Sequence, residues 1–174
     1  MTSILREDEE GTLSRLFTTP TSRTAILAGK FLSVFLIVLI QGVVLMIISR
    51  FAFNVHWGQP ISAALSLIGQ MVASTGLGTL LISFLKNSRQ SGPMIGGVLT
   101  ALGMLSGLFT TNINMPEAFN AIGNFTPQGW VLKAWRLSIA DQPPSQLLLP
   151  FLVLLAMGLV TFAIGAFLFR KRYA

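Results

Sequence analysis

Side chains able to do chemistry are scarce in this sequence. It holds no cysteine, one histidine (His56) and six acids, four of them contiguous as Glu7-Asp8-Glu9-Glu10. Without cysteine there are no disulfides, thiolate metal sites or Cys nucleophiles, and one histidine cannot build a His cluster. Gly29-Lys30 is followed by Phe31 and lacks the earlier glycine of a phosphate-binding loop. No G-x-S-x-G, no metal-ligand spacing and no paired carboxylates in a polar pocket occur. The chain is therefore expected not to be an enzyme, with no catalytic residue, no metal and no cofactor of its own. If ATP drives it, another chain binds the ATP.

What chemistry remains is that of binding, and it concentrates at the start. Leu13, Leu16 and Phe17 fall at i, i+3 and i+4, so the segment from Ile4 to Phe17 reads as a short charged helix with an apolar face. Acids early and Arg15 late suit the helix dipole. Such a helix could lie solvated on a lipid surface or dock on a partner. Thr18-Thr19-Pro20-Thr21-Ser22 breaks it, and a second short amphipathic piece over 23–30 leads onward.

The elements that must carry these residues follow from composition. Of 174 residues 52% are hydrophobic and 10% charged, with mean hydropathy +0.71; soluble domains carry about 25% charged residues. This is the composition of an integral membrane protein. The net charge of +6 forms no basic patch interleaved with aromatics, which argues against nucleic acid. Met1–Glu10 is acidic and does not resemble a cleavable signal. Four stretches are apolar enough to cross a bilayer, at 31–53, 61–85, 92–111 and 147–169. In hydrocarbon their backbone groups must bond internally, so helices are the natural form. If the four alternate, Arg6, Arg15, Arg23, Lys30, Lys86, Arg89 and Arg170-Lys171-Arg172 share one side. Arg50, Lys133 and Arg136 share the other, so both termini are placed in the cytoplasm.

The segment 112–146 differs from the spans. Proline opens two expected short helices, at 116–122 and 127–140, with Thr126 as N-cap of the second. Trp130, Ala134 and Leu137 share one face of that second helix, Lys133 and Arg136 another. Pro127, Trp130 and Trp135 fit an outer interfacial element, either a helix anchored on the membrane surface or a re-entrant one at a substrate exit. Within the spans, Gln41 and Gln70 are bulky polar side chains that either bond between helices or line a translocation path. Gly92, Gly96, Gly103 and Gly107 form GxxxG pairs, and Ser62, Ser66, Gly69, Ala73 and Gly76 a similar stripe. These two stripes either pack on each other, or make a dimer seam or a helix pair that slides during transport.

Arg6-Glu7-Asp8-Glu9-Glu10-Gly11-Thr12-Leu13, then Thr19-Pro20, then Gly29-Lys30 before a span, resembles the type-2 permease family of ABC transporters. There the pattern marks the cytoplasmic coupling helix that sits in a groove of the ATP-hydrolysing subunit. Thr126-Pro127-Gln128-Gly129-Trp130 is similar to the family's outer re-entrant segment. Asp8 departs from the pattern, standing where arginine is frequent. The resemblance implies one transmembrane domain over 1–174, all-α, with four transmembrane helices, a cytoplasmic coupling helix and a short outer re-entrant or interfacial segment. The chain starts at the coupling segment, so the family's first two membrane helices are expected to be missing. It implies an ATPase contact through Glu7, Glu9, Glu10, Gly11, Thr12, Leu13, Leu16, Phe17, Thr19 and Pro20. It also implies a homodimer or paired permease in the plasma membrane that exports a drug-like, lipid-like or glycan substrate. The other expectation weighed is a four-helix membrane scaffold or accessory subunit of a larger complex.

Overall fold

The computed structural model describes residues 23–85, 88–108 and 123–172. Its helices are α1 (Arg23–Phe53), α2 (Pro60–Phe84), α3 (Ser88–Leu105), α4 (Pro127–Ile139) and α5 (Pro144–Arg172). No strand occurs among the described residues. Three of these helices contain stretches long and apolar enough to cross a membrane, Leu32–Phe53, Pro60–Phe84 and Pro144–Leu168; Ser91–Leu105 is a shorter apolar run.

The ends of the helices follow from local backbone chemistry. Gln59 is extended because Pro60 follows it, and that proline opens α2 where a missing N–H costs nothing. Asn54 ends α1 at φ 51°, a left-handed conformation that its short polar side chain tolerates. Gly107 ends α3 at φ 77°, and the N–H groups of Gly107 and Leu108 return to the carbonyls of Met104 and Gly103. Asp141 repeats this stop after α4 at φ 53°, with Asp141 and Gln142 bonding back to Ser138 and Leu137. Both are Schellman-type ends that satisfy carbonyls the helix leaves open.

Several boundaries differ from expectation. The piece over 23–30 is not separate; it is continuous with the first span in α1. The third span, expected at 92–111, is a helix from Ser88 to Leu105, because Gly107 turns the chain left-handed before hydrocarbon length is reached. Gly107 therefore stands outside the helical GxxxG register with Gly103. The last span starts at Pro144 rather than Leu147, since the Asp141 stop leaves the proline free to begin a new helix.

The core is the seam between α2 and α5. Ser62, Ser66, Gly69, Ala73 and Gly76 are all buried on α2, and their partner is α5, not the third span. The two helices run in the same direction: the Ser62 hydroxyl donates to the Gln142 carbonyl, Gly69 faces Leu154, Gly76 faces Gly158, and Gly165 faces Leu80. A Cβ on Gly76 would overlap the Gly158 carbonyl oxygen, and one on Gly158 would lie 2.7 Å from the Val72 carbonyl. The backbones touch because those side chains are absent, which gives the dispersion contact that holds helices in lipid. The Ser66 and Thr75 hydroxyls are buried without a hydrogen-bond partner, so these residues serve the seam by their small size. α1 leans on this pair through Gly42 against Leu67; its apolar span has one half-buried stripe and no fully buried residue.

Candidate functional site

The α2–α5 pair carries α4 in a groove at the end where α2 and α5 begin. Thr126 caps α4 as expected: its hydroxyl oxygen accepts from the Gly129 N–H at 3.2 Å and lies 2.6 Å from the Ser106 hydroxyl just past α3. Gln128 reaches back to donate to the Leu99 carbonyl at 3.1 Å. The first turn of α4 is thus tied to α3 well below that helix's end. A Cβ on Gly129 would overlap the Gly123 carbonyl, so glycine is what lets the approach loop fold under the helix.

Further along, Ala134 is buried in one cluster with Ala73 and Leu154, flanked by Trp130 and Val131. Trp135 donates its indole N–H to Gln70 Oε1 at 2.6 Å. Gln70 stands ten residues into α2, about 15 Å along it at 1.5 Å per residue. α4 therefore does not lie across the tops of the other helices; it descends between them.

Its upper end is fastened to the α1–α2 loop. The Trp57 and Trp135 rings meet edge-to-face at 5.0 Å, the favoured aromatic geometry. Trp57 donates its indole N–H to the Met46 carbonyl at 3.1 Å and lies 3.2 Å from the Ser49 hydroxyl. Ser138 Oγ donates to the Trp57 carbonyl at 2.7 Å. Gly58, at φ 79°, presses against Ser138 so closely that a Cβ would overlap its carbonyl oxygen. On the exposed side His56 Nε2 sits 3.0 Å from Asp141 Oδ2, and Arg50 approaches His56 Nδ1 at 3.3 Å and the Val55 carbonyl at 3.4 Å. One knot joins the end of α1, the start of α2, the end of α4 and the start of α5. Such a knot can transmit movement of one helix to the others, but it offers no nucleophile or general base in a pocket.

Across residues 1–167 the chain matches the sequence model for ABC-2 family transporter proteins. The chain belongs to the ABC-2 transporter family. It is 28% identical over 164 residues to the linearmycin resistance permease protein LnrN of Bacillus subtilis (strain 168). That alignment covers 94% of this chain and 43% of LnrN, so the chain spans less than half the length of this curated relative. No solved structure matches it. As a chain of the ABC-2 permease family it is a multi-pass membrane protein.

In this ABC-2 chain the expected outer residues are brought together. Pro127 opens α4, Trp130 and Trp135 lie against the core, and Gln70 is bonded to Trp135. Gln41 is not part of this group; it is exposed on α1. Gly103 is buried, whereas Gly92 and Gly96 are exposed with nothing within 4 Å of a Cβ placed on them. Glu7, Glu9, Glu10, Gly11, Thr12, Leu13, Leu16, Phe17, Thr19 and Pro20 lie outside the described residues, as does the helix expected at 116–122. The knot residues Trp57, Gly58, Ser138 and Asp141 were not anticipated. The one local signal is Asn54 and Gly58 bracketing an aromatic-rich loop, the pattern of a tight turn; nothing in the sequence pairs that loop with residues eighty positions away.

Proposed function

We propose that this ABC-2 chain forms the membrane path of an ATP-driven exporter powered by a separate ATPase subunit. The reading is carried by the family match over residues 1–167, which takes in the acidic N-terminal segment together with α1 to α4 and most of α5. The name of LnrN, a resistance permease, favours a drug-like cargo among the drug-like, lipid-like and glycan classes. In this reading α1, α2, α3 and α5 cross the plasma membrane. α3 is the shortest; its 18 residues rise about 27 Å against a hydrocarbon core of about 30 Å. Nine of the twelve cations then flank the cytoplasmic end, and the knot with α4 faces outward as a re-entrant element.

ATP stays on the partner subunit. The N-terminal helix docks there, its acids setting register and Leu13, Leu16 and Phe17 supplying holding force. Closure of the ATPase would then rock α1 against the α2–α5–α4 body, with a second permease copy or a paired permease completing the path. Replacing Glu7, Glu9 and Glu10 together by lysine tests this. The expected result is at least a tenfold loss of ATPase co-purification, about 1.4 kcal/mol. Unchanged co-purification with unchanged coupled transport would overturn it.

A further inference from the structure

Lys133 and Arg136 are exposed on α4 on the side opposite Ala134 and Ser138, which are buried. That orientation is fixed. The inward face is held by the Thr126 cap, the Trp135–Gln70 bond and the Ser138–Trp57 bond, so the helix cannot roll its cations into the protein. Lys133 Nζ lies 4.7 Å from the centre of the Trp130 ring, an attraction that steadies the ammonium beside an apolar surface. Among the described residues no carboxylate pairs with either cation, because Asp141 is engaged with His56. Large apolar side chains flank the site, Phe125 being 82% exposed and Ile139 46%.

Cations near the loop end run against the charge asymmetry of the chain. Of the three there, Arg50 has its own loop partners, which leaves Lys133 and Arg136. Two cations on a rigid helix, without a carboxylate partner among the described residues and bordered by aromatic and aliphatic groups, complement an anion attached to hydrocarbon chains. We propose that this face of α4 is a docking site for the phosphate headgroup of an anionic phospholipid. The cations hold the phosphate while Phe125, Trp130 and Ile139 take the upper acyl chains. This assignment needs only that the chain is a membrane protein, and stands apart from the ATPase coupling proposed above.

Quenching of tryptophan fluorescence by brominated lipids tests it, since Trp130 lies beneath Lys133. The full chain is placed in bilayer discs containing brominated phosphatidylglycerol or, separately, brominated phosphatidylcholine. The same degree of quenching is expected from phosphatidylglycerol at roughly one third or less of the lipid fraction that phosphatidylcholine needs, in keeping with the attraction of each basic residue for anionic lipid. Lys133→Gln with Arg136→Gln should remove the preference, Lys133→Arg should keep it, and Arg50→Gln should leave it intact. Equal quenching by the two lipids, or a preference that survives the double substitution, would overturn the proposal. Inorganic phosphate added over phosphatidylglycerol discs should displace nothing; displacement at millimolar levels would assign the cations to a free anion and overturn the lipid.

Discussion

α2 and α3 carry the same kind of small-residue stripe and put it to opposite uses. On α2 the stripe is buried to the point of backbone contact with α5. On α3, Gly92, Gly96 and Gly97 face open space. The difference teaches that small residues confer only a capacity for close approach. Which helix takes up that capacity depends on direction and length. α5 runs parallel to α2 and matches it along the seam, whereas α3 is cut short by the Gly107 turn and is bonded to the start of α4 through Ser106 and the Leu99 carbonyl.

The largest expected effect breaks the buried member of that comparison. Gly158→Val would force α2 and α5 apart, because its Cβ alone falls 2.7 Å from the Val72 backbone; the loss should be about 3 kcal/mol. Gly96→Ala has room for its methyl and replaces a poor helix former, so it should gain up to ~1 kcal/mol. Unfolding midpoints in detergent distinguish the two. Equal sensitivity at both positions would mean that α3 is packed as tightly as α2.

A smaller effect sharpens the view of α4 as part of the seam rather than a surface appendage. Trp135→Phe keeps the ring beside Trp57 but strands Gln70 Oε1, which should cost about 1–2 kcal/mol. Adding Gln70→Leu removes the stranded acceptor and should recover part of that loss, since two apolar partners leave nothing unsatisfied. Unfolding of the three variants in detergent reads this directly. If the double variant is worse than Trp135→Phe by the full cost of each change, the two side chains are not coupled.

Much of this was legible in the residues. Runs of apolar side chains placed α2, α5 and the end of α1 to within three positions, though not the start of α1 at Arg23, and Thr126-Pro127 fixed the start of α4, because capping and proline chemistry are local. The inward set Trp130 and Ala134 followed from helical spacing. The pairing of α2 with α5 was not legible: both neighbours of α2 in the chain offer glycine, and hydrophobicity does not choose between partners that are all apolar. The descent of α4 was likewise hidden, since an amphipathic helix with two tryptophans suits either a membrane surface or a groove. Gln70 was seen as a polar group needing a partner, but only the fold brings Trp135 to it.

The smallest effect separates charge from backbone at the knot. His56 and Asp141 are more than half exposed, at 56% and 54%, so water screens their pairing, and a double-mutant cycle with His56→Gln and Asp141→Asn should give a coupling of at most about 0.5 kcal/mol. Asp141 has a second duty, however. At φ 53° it holds the left-handed turn that closes α4. Asparagine keeps that conformation at little cost, whereas Asp141→Val places a β-branched residue there and should lose about 1–2 kcal/mol. The two exchanges remove the same carboxylate, so the difference in their unfolding midpoints measures the turn alone. A valine variant no less stable than the asparagine one would mean that the left-handed turn at Asp141 contributes nothing to the knot. The reverse order would place the stop of α4, and with it the height of Trp135 and Ser138, on one backbone angle.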